Sequence, residues 1–233
     1  MNSNKNIKKI SFIDDFSKKK EVAYSKTQIE ILYAAEIIMG QKGIENTSHR
    51  DIVNLAGQKN TSAIGYHFGG IQGVVNALLD IRMALLNNER LELLKKILIQ
   101  KDYTNIDLVD VIIDPLYKKV FHDKEWSNYI FFLHNVITRE TVNFVHRDNK
   151  YIEGAQTIEK LFAKKNNLQD DNMYKSRISY GAFFFISAMA SRKRDIDEQK
   201  IQNKSTKLIP TESEFINFLK STYIFILANK ESN

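Results

Sequence analysis

Residues 47–73 have the sequence TSHRDIVNLAGQKNTSAIGYHFGGIQG, and their pattern predicts two short helices separated by a tight turn. The first helix should begin at Thr47 or Ser48, because a hydroxyl side chain accepts the unpaired amides of a first helical turn. Asp51 suits the positive end of that helix. Gly57 should end it, since a residue without Cβ easily takes the left-handed conformation of a sharp exit.

The second helix should begin near Asn60, a favourable capping residue, with Thr61 and Ser62 in its first turn. Ile64 and Phe68 then lie four residues apart, as an inward apolar pair does. On the first helix the predicted buried side is Ile52, Leu55 and Ala56. Two short helices joined by a Gly-containing turn form a helix-turn-helix, whose second helix enters the major groove of DNA.

Further residues match a known family in order and spacing: residues 31–35, Gly43, Thr47, Ser48, Ile52, Ala56, Gly57, Tyr66, His67 and Phe68. Together they resemble the N-terminal domain of TetR-family transcriptional regulators, over roughly residues 25–80. The NTSA and YHFG sequences are similar to one subgroup of that family.

The resemblance implies an all-α fold with an N-terminal three-helix DNA-binding domain, which contains the helix-turn-helix, and a C-terminal helical domain for ligand binding and dimerisation. The expected divisions are a basic flexible arm at 1–24, the DNA-binding domain at 25–72 and the effector-binding and dimerisation domain at 73–233. The implied function is a ligand-responsive repressor. It would bind a palindromic double-stranded DNA operator as a homodimer and be released by a small apolar effector.

Carried over position by position, the resemblance implies DNA contacts from Ser48, His49, Arg50, Lys59, Asn60, Thr61, Ser62, Ala63 and Tyr66. The first three would contact phosphates, and the methyl groups of Thr61 and Ala63 can meet a thymine methyl. Gly65 stands where the family often has Tyr, and Ile71 where it often has a phosphate-binding Lys. Two usual contacts are therefore missing, and a helical adaptor that binds protein through the same head is the alternative.

The composition is that of an ordinary globular chain, with 233 residues of which 43% are hydrophobic and 27% charged. No run approaches the roughly 20 apolar residues that span a bilayer, and the N-terminus lacks the apolar segment of a signal peptide. We therefore expect a cytoplasmic protein with no membrane partner. The net charge of +6 suits a polyanionic partner.

The absence of cysteine excludes disulfides, thiol catalysis and cysteine-ligated zinc. The histidines, at positions 49, 67, 122, 134 and 146, show no spacing of a metal-binding pair, so we expect no metal and no cofactor. No constellation of acid, base and nucleophile is evident, and we expect that the chain is not an enzyme.

Helix signals continue on both sides of this stretch. A helix should begin at Ser25, with Gln28 completing a capping box, and end before Gly43. A long helix should cover residues 72–100, about 40 Å, and the next should be kinked or restarted at Asp114–Pro115. The basic arm before Ser25 is either simply solvated or follows DNA phosphates.

Residues 126–145 are aromatic on several sides and should form a buried helix. These aromatic residues either belong to the core or line an apolar effector cavity with a few polar groups. The candidate effector residues are Trp126, Phe131, His134, Arg139, Tyr180 and Phe183.

Two hydrophobic helices are predicted near the C-terminus, at 173–189 and from Thr211, whose capping box is completed by Glu214. A charged loop at 192–203 should separate them. They form either half of a four-helix dimer interface or an intramolecular pair. The candidate interface residues are Phe184, Met189, Phe215, Phe218, Leu219, Thr222 and Ile226.

Overall fold

The structure is a computed structural model that describes residues 24–100, 102–139, 152–202 and 209–229. Within these ranges the chain is all-helical, with nine α-helices, one short 3-10 helix (Lys124–Trp126) and no strand, which confirms the all-α part of the predicted fold. The α-helices are α1 (Lys26–Lys42), α2 (His49–Ala56), α3 (Ser62–Phe68), α4 (Ile71–Ile99), α5 (Asn105–His122), α6 (Tyr129–Arg139), α7 (Glu153–Lys165), α8 (Tyr174–Gln202) and α9 (Glu212–Ala228). The predicted arm up to residue 23, and residues 140–145 of the predicted aromatic helix, lie outside the described residues.

Helix α1 begins and ends where the sequence predicts. The Ser25 side chain accepts the Gln28 amide, and the Gln28 side chain accepts the Ser25 amide in return. At the other end, Gly43 donates its N–H to the carbonyl of Met39. These local hydrogen bonds satisfy terminal groups that the helix itself leaves unpaired.

Helix α5 continues through Pro115, so the predicted fresh start is wrong. A proline inside a helix costs about 3 kcal/mol. Its neighbours Ile112, Ile113 and Leu116 are all buried, and each buried side chain of this size contributes about 1.5–3 kcal/mol. Packing on both sides of the proline therefore outweighs the lost backbone hydrogen bond.

Helix α8 extends to Gln202, so the charged loop predicted at 192–203 is wrong for the residues that the structure describes. Arg192 is buried, donates to the carbonyl of Pro210 at 2.8 Å and lies 4.6 Å from the centre of the Phe215 ring. Lys193 pairs with Asp197 one turn later at 2.6 Å. These partners allow charged residues to continue the helix instead of ending it.

Packing divides the described residues into two compact units. Unit 1 takes those of Met1–Ala84 and Lys119–Asn135, and unit 2 takes those of Leu85–Lys118 and Val136–Asn233. The predicted domain boundary follows residue 72. In the structure, α4 instead passes from unit 1 to unit 2 after Ala84.

Unit 1 has a buried ion pair in its interior. The Arg82 guanidinium donates to both carboxylate oxygens of Glu36, at 2.8 and 2.9 Å, and to the carbonyl of Glu125 at 2.9 Å. The same guanidinium lies 4.3 Å from the centre of the Trp126 ring. Both charged side chains are essentially inaccessible, so loss of either would leave an unpaired buried charge.

Unit 2 contains a close crossing of α8 and α9. A Cβ added at Gly181 would lie 2.6 Å from the Tyr223 ring, so only glycine allows this approach. Lys220 on α9 also bridges Asp110 and Asp114 of α5, at 2.7 Å to each. These contacts fix α9 within unit 2.

No single helix among the described residues is long and apolar enough to cross a membrane. Helices α3 and α4, which are bent by 53° relative to each other, reach that length and apolar character only as a pair.

Candidate nucleic-acid interface

Helix α2 is fixed at its start by a reciprocal capping box. The Asp51 amide donates to the Ser48 hydroxyl at 3.1 Å, and the Ser48 amide donates to the Asp51 carboxylate at 3.2 Å. Lys42 reaches the same carboxylate at 3.2 Å. Hydrogen bonds from Ser48, and then from Lys42, hold the pKa of Asp51 below its ordinary value. Of the two predicted starts, Ser48 is the cap, because the Thr47 hydroxyl donates to the carbonyl of Gly43 instead.

The turn between the two helices follows the predicted chemistry. Gly57 has φ +70° and ψ +23°, and its N–H bonds to carbonyls in the last turn of α2. At the far side of the turn the Asn60 side-chain oxygen accepts the Ser62 amide at 2.9 Å. Asn60 therefore satisfies one amide at the start of α3, although the N-cap position itself is Thr61, which makes no side-chain cap.

Apolar residues hold this helix pair against the rest of unit 1. On α2 the buried residues are Ile52, Val53 and Ala56, and on α3 Ile64 is fully buried. The prediction that Leu55 faces inward is wrong, since its side chain is 47% exposed. The buried side is centred between Ile52 and Val53, because that side of α2 packs against α1.

The opposite side of the pair carries the predicted DNA-binding residues. All nine have some exposure. Ser48, Arg50, Lys59, Asn60, Thr61, Ser62 and Tyr66 are exposed, and His49 and Ala63 are half-buried. Arg50 and Lys59 form no ion pair with any described residue, so both cations remain available to an anion. The structure thus brings seven of the nine to an open surface of one helix pair.

An aromatic group closes α3. Tyr66 is 85% exposed, and its ring meets the edge of the His67 ring at 4.9 Å between centroids. Phe68 is half-buried and stacks with Tyr24, with 6.4 Å between ring centroids. This arrangement leaves Tyr66 as the only large exposed side chain of α3.

The junction between α3 and α4 is unusually tight. Gly69 and Gly70 both have positive φ, +70° and +116°, and the two helices are bent by 53°. A Cβ added at Gly73 would lie 1.6 Å from the Phe68 carbonyl oxygen. The chain therefore needs glycine at the first turn of α4 to hold α3 in this orientation.

The predicted effector residues do not form one cavity within either unit. Trp126, Phe131 and His134 belong to unit 1, whereas Arg139, Tyr180 and Phe183 belong to unit 2. Trp126 is fully buried and packs on Arg82 and, edge to face at 5.2 Å, on Tyr129. This corrects its prediction as an effector contact, because its ring is part of the core.

Phe131 and His134 lie on the helix that packs against α1. A Cβ added at Gly40 would lie 3.2 Å from the Cβ of Phe131, and the Asn135 amide donates to the carbonyl of Met39 at 2.7 Å. In unit 2, Arg139 and Tyr180 are exposed and Phe183 is half-buried.

Unit 2 has an apolar groove of about 380 Å³ between α4 and α5. Its lining residues are Asn88, Glu89, Glu92, Leu93, Pro115 and Lys118, none of which belongs to the predicted effector set. Sequence reasoning missed this feature, because it is formed by residues of two helices that no local sequence pattern connects.

The predicted dimer residues divide into two groups. Met189, Phe215 and Leu219 are buried within unit 2, which leaves them no surface for a second chain and corrects their prediction. Phe218 is 54% exposed, and its ring meets Phe184 at 5.9 Å. Thr222 and Ile226 are half-buried. An additional aromatic residue, Phe225, is 67% exposed on the same helix and was missed.

Within the described residues there is no group of three or more His, Cys, Asp or Glu side chains arranged to hold a metal ion. No protein-family model matches the chain, and no curated protein matches it in sequence. Its function therefore has to be inferred from its own residues.

Proposed function

We propose that the chain is a TetR-like transcriptional regulator that binds double-stranded DNA through α2 and α3, used as a helix-turn-helix. The observation that carries the proposal is the division of this helix pair into two sides. Apolar residues such as Ile52 and Ile64 face unit 1, while Arg50, Lys59 and the start of α3 remain uncovered. A short helix with one anchored side and one open polar side suits the major groove.

Each side chain has a role that its chemistry supports. Arg50 and Lys59 bind phosphates as unpaired cations, and the exposed Tyr66 hydroxyl binds a further phosphate. Thr61 and Ser62 face base edges, where a hydroxyl can donate or accept. Asp51 contributes indirectly, because its capping box fixes the start of α2.

The regulator acts as a homodimer on a palindromic operator, since one short helix contacts too few base pairs alone. The supporting feature is an aromatic group on α8 and α9, in which Phe218 and Phe225 are exposed and the half-buried Phe184 meets the Phe218 ring. Large aromatic side chains left exposed together mark protein interaction surfaces. A two-fold dimer would place the two half-sites about one helical turn apart, roughly 34–36 Å, or a multiple of it.

A small apolar effector completes the proposed repressor. The feature that supports it is the groove of about 380 Å³ in unit 2, whose size falls within the usual range for small-molecule sites. Release of a bound duplex by an apolar compound, and by no unrelated polar solute, tests this part of the proposal.

The test of DNA binding is a titration of purified protein against duplexes selected from a random pool, at several salt concentrations. Arg50→Ala should weaken binding to every sequence and reduce the salt slope by about one, because one phosphate contact is lost. The double variant Thr61→Ala with Ser62→Ala should instead relax sequence preference.

Lys164→Ala is the matched control, because it removes one positive charge from an exposed position of α7. It should leave both the salt slope and the preference unchanged. A protein that binds no duplex, or binds without a salt slope, would be the helical adaptor and not a DNA-binding regulator.

A further inference from the structure

The exposed ridge of α3 has almost no long side chains. Thr61, Ser62, Gly65 and Tyr66 are exposed, while Ile64 on the opposite side is fully buried. Ser62, Gly65 and Tyr66 are spaced at i, i+3 and i+4, so they are neighbours along one side of the helix. Apart from Tyr66, the longest side chain among these residues is that of Thr61, with one hydroxyl and one methyl group.

Gly65 opens a gap in this ridge. Apart from its two chain neighbours and the backbone of its own helix, a Cβ added there would meet nothing within 4 Å, so the space beside it is open. Its φ is not in the left-handed region, and the backbone conformation would accept any residue. Glycine is therefore not required by the fold of unit 1, in contrast to Gly73.

Hydrogen bonding gives this ridge limited means to read a purine. Bidentate contacts to guanine come from Arg or Lys and those to adenine from Asn or Gln. The ridge has none of these residues, and the nearby Asn60 already uses its side-chain oxygen to accept the Ser62 amide at 2.9 Å. Ser62 offers a single hydroxyl, which suits one acceptor.

Resting on the DNA-binding function proposed above, we infer that the open position at Gly65 receives the C5-methyl group of a thymine in each half-site. In the major groove thymine presents this methyl beside the O4 acceptor. The Ser62 hydroxyl donates to O4, and the bare backbone at Gly65 covers the methyl. Cytosine presents a donor, which the Ser62 hydroxyl can also accept, but it lacks the methyl, so the contact at Gly65 is what favours thymine.

The experiment uses the full chain and the duplex selected from the random pool. Each thymine is replaced in turn by uracil, which removes only the methyl group. At one thymine position per half-site the affinity should fall by about fourfold for each methyl removed, the factor expected for one buried methyl group. Equal binding of every uracil-substituted duplex would overturn this inference and leave DNA binding intact.

Gly65→Ala provides a second test, because this variant is expected to fold at least as well as the wild type. Alanine is the better helix former, so the variant should melt no lower than the wild type. Its methyl occupies the gap, so the fourfold preference for thymine over uracil should approach one. A Gly65→Ala variant that keeps the preference would also overturn the inference. Failure of the wild type to bind any duplex would overturn both this inference and the function on which it rests.

Discussion

The tight junction between α3 and α4 makes Gly73→Ala the most informative single substitution. The new Cβ would lie 1.6 Å from the carbonyl oxygen of Phe68 and 2.7 Å from its carbonyl carbon. A carbon and a carbonyl oxygen approach no closer than about 3.3 Å, so the junction must open by about 1.7 Å. The obstacle is backbone, and no change of side-chain rotamer can relieve it.

The cost follows from two opposing effects. Overpacking costs about 1–3 kcal/mol, and a backbone clash belongs at the upper end. Replacing glycine by alanine inside a helix stabilises the helix by at most about 1 kcal/mol. The net loss is about 2 kcal/mol, which should lower the melting temperature by about 4–8 °C in a chain of this size.

Gly65→Ala is the matched control, because it makes the same chemical change one helix earlier, where the added Cβ meets nothing. Calorimetric or fluorescence melts of both variants should therefore move in opposite directions. Gly73→Ala should also weaken duplex binding, since α3 loses its orientation. A Gly73→Ala variant that melts as high as Gly65→Ala would refute the account of the junction.

Two further predictions concern unit 2. Burial raises the pKa of the Glu159 carboxyl to about 7 against the opposing effect of Arg90 and Lys160, so the protonated acid is favoured in the folded state. The contribution of Glu159 to stability should be fully present below pH 4.5 and should fall by up to about 3 kcal/mol as the pH rises to about 7. Glu159→Gln should remove this part of the pH dependence in urea titrations, and a variant with the wild-type pH dependence would contradict the prediction. If the chain forms the proposed dimer, Phe218→Ser should shift it towards monomer in sedimentation at equal concentration without lowering the melting temperature of the monomer. Ile201→Ser, at a position 83% exposed at the end of α8, should leave the proposed dimer intact.

The starts of α1, α2 and α9 and the ends of α1 and α2 could be predicted, because they depend on neighbours in the sequence. The capping boxes at Ser25, Ser48 and Thr211 each need only a residue three positions later. Gly43 and Gly57 end helices through hydrogen bonds to carbonyls in the preceding turn. These interactions are visible in the sequence without knowledge of the tertiary packing.

The buried side of a short helix could be predicted only in part. Ile52 and Ala56 are one turn apart and define the middle of the inward side of α2. Helical periodicity does not decide whether Val53 or Leu55 joins them on the buried side. The packing of α2 against α1 buries Val53 and leaves Leu55 exposed. The extent of α8 was missed for a similar reason, since Arg192 and Lys193 are buried by partners that periodicity does not reveal.

The buried ion pair of unit 1 was also missed, although part of its signal is present in the sequence. Glu36 lies four residues after Leu32 and three before Met39, on the buried side of α1. A carboxylate at such a position requires a cationic partner. The identity of that partner depends on Arg82, 46 residues away, and on the aromatic ring of Trp126. Nothing in the local sequence connects these positions.

The orientation of α3, like the ion pair, depends on packing against residues outside the helix itself. The contacts with DNA that we propose come from its own side chains. A helix of seven residues is not stable alone, because too few hydrogen bonds offset the cost of nucleation. It is held by Ile64, by the stacking of Phe68 on Tyr24 and by the contact of the Phe68 carbonyl with Gly73. The last contact belongs to α4, the helix that carries Arg82. A displacement of the first turns of α4 would therefore move α3 with it, and in the proposed regulator this contact would carry a movement of α4 to the DNA-binding helices.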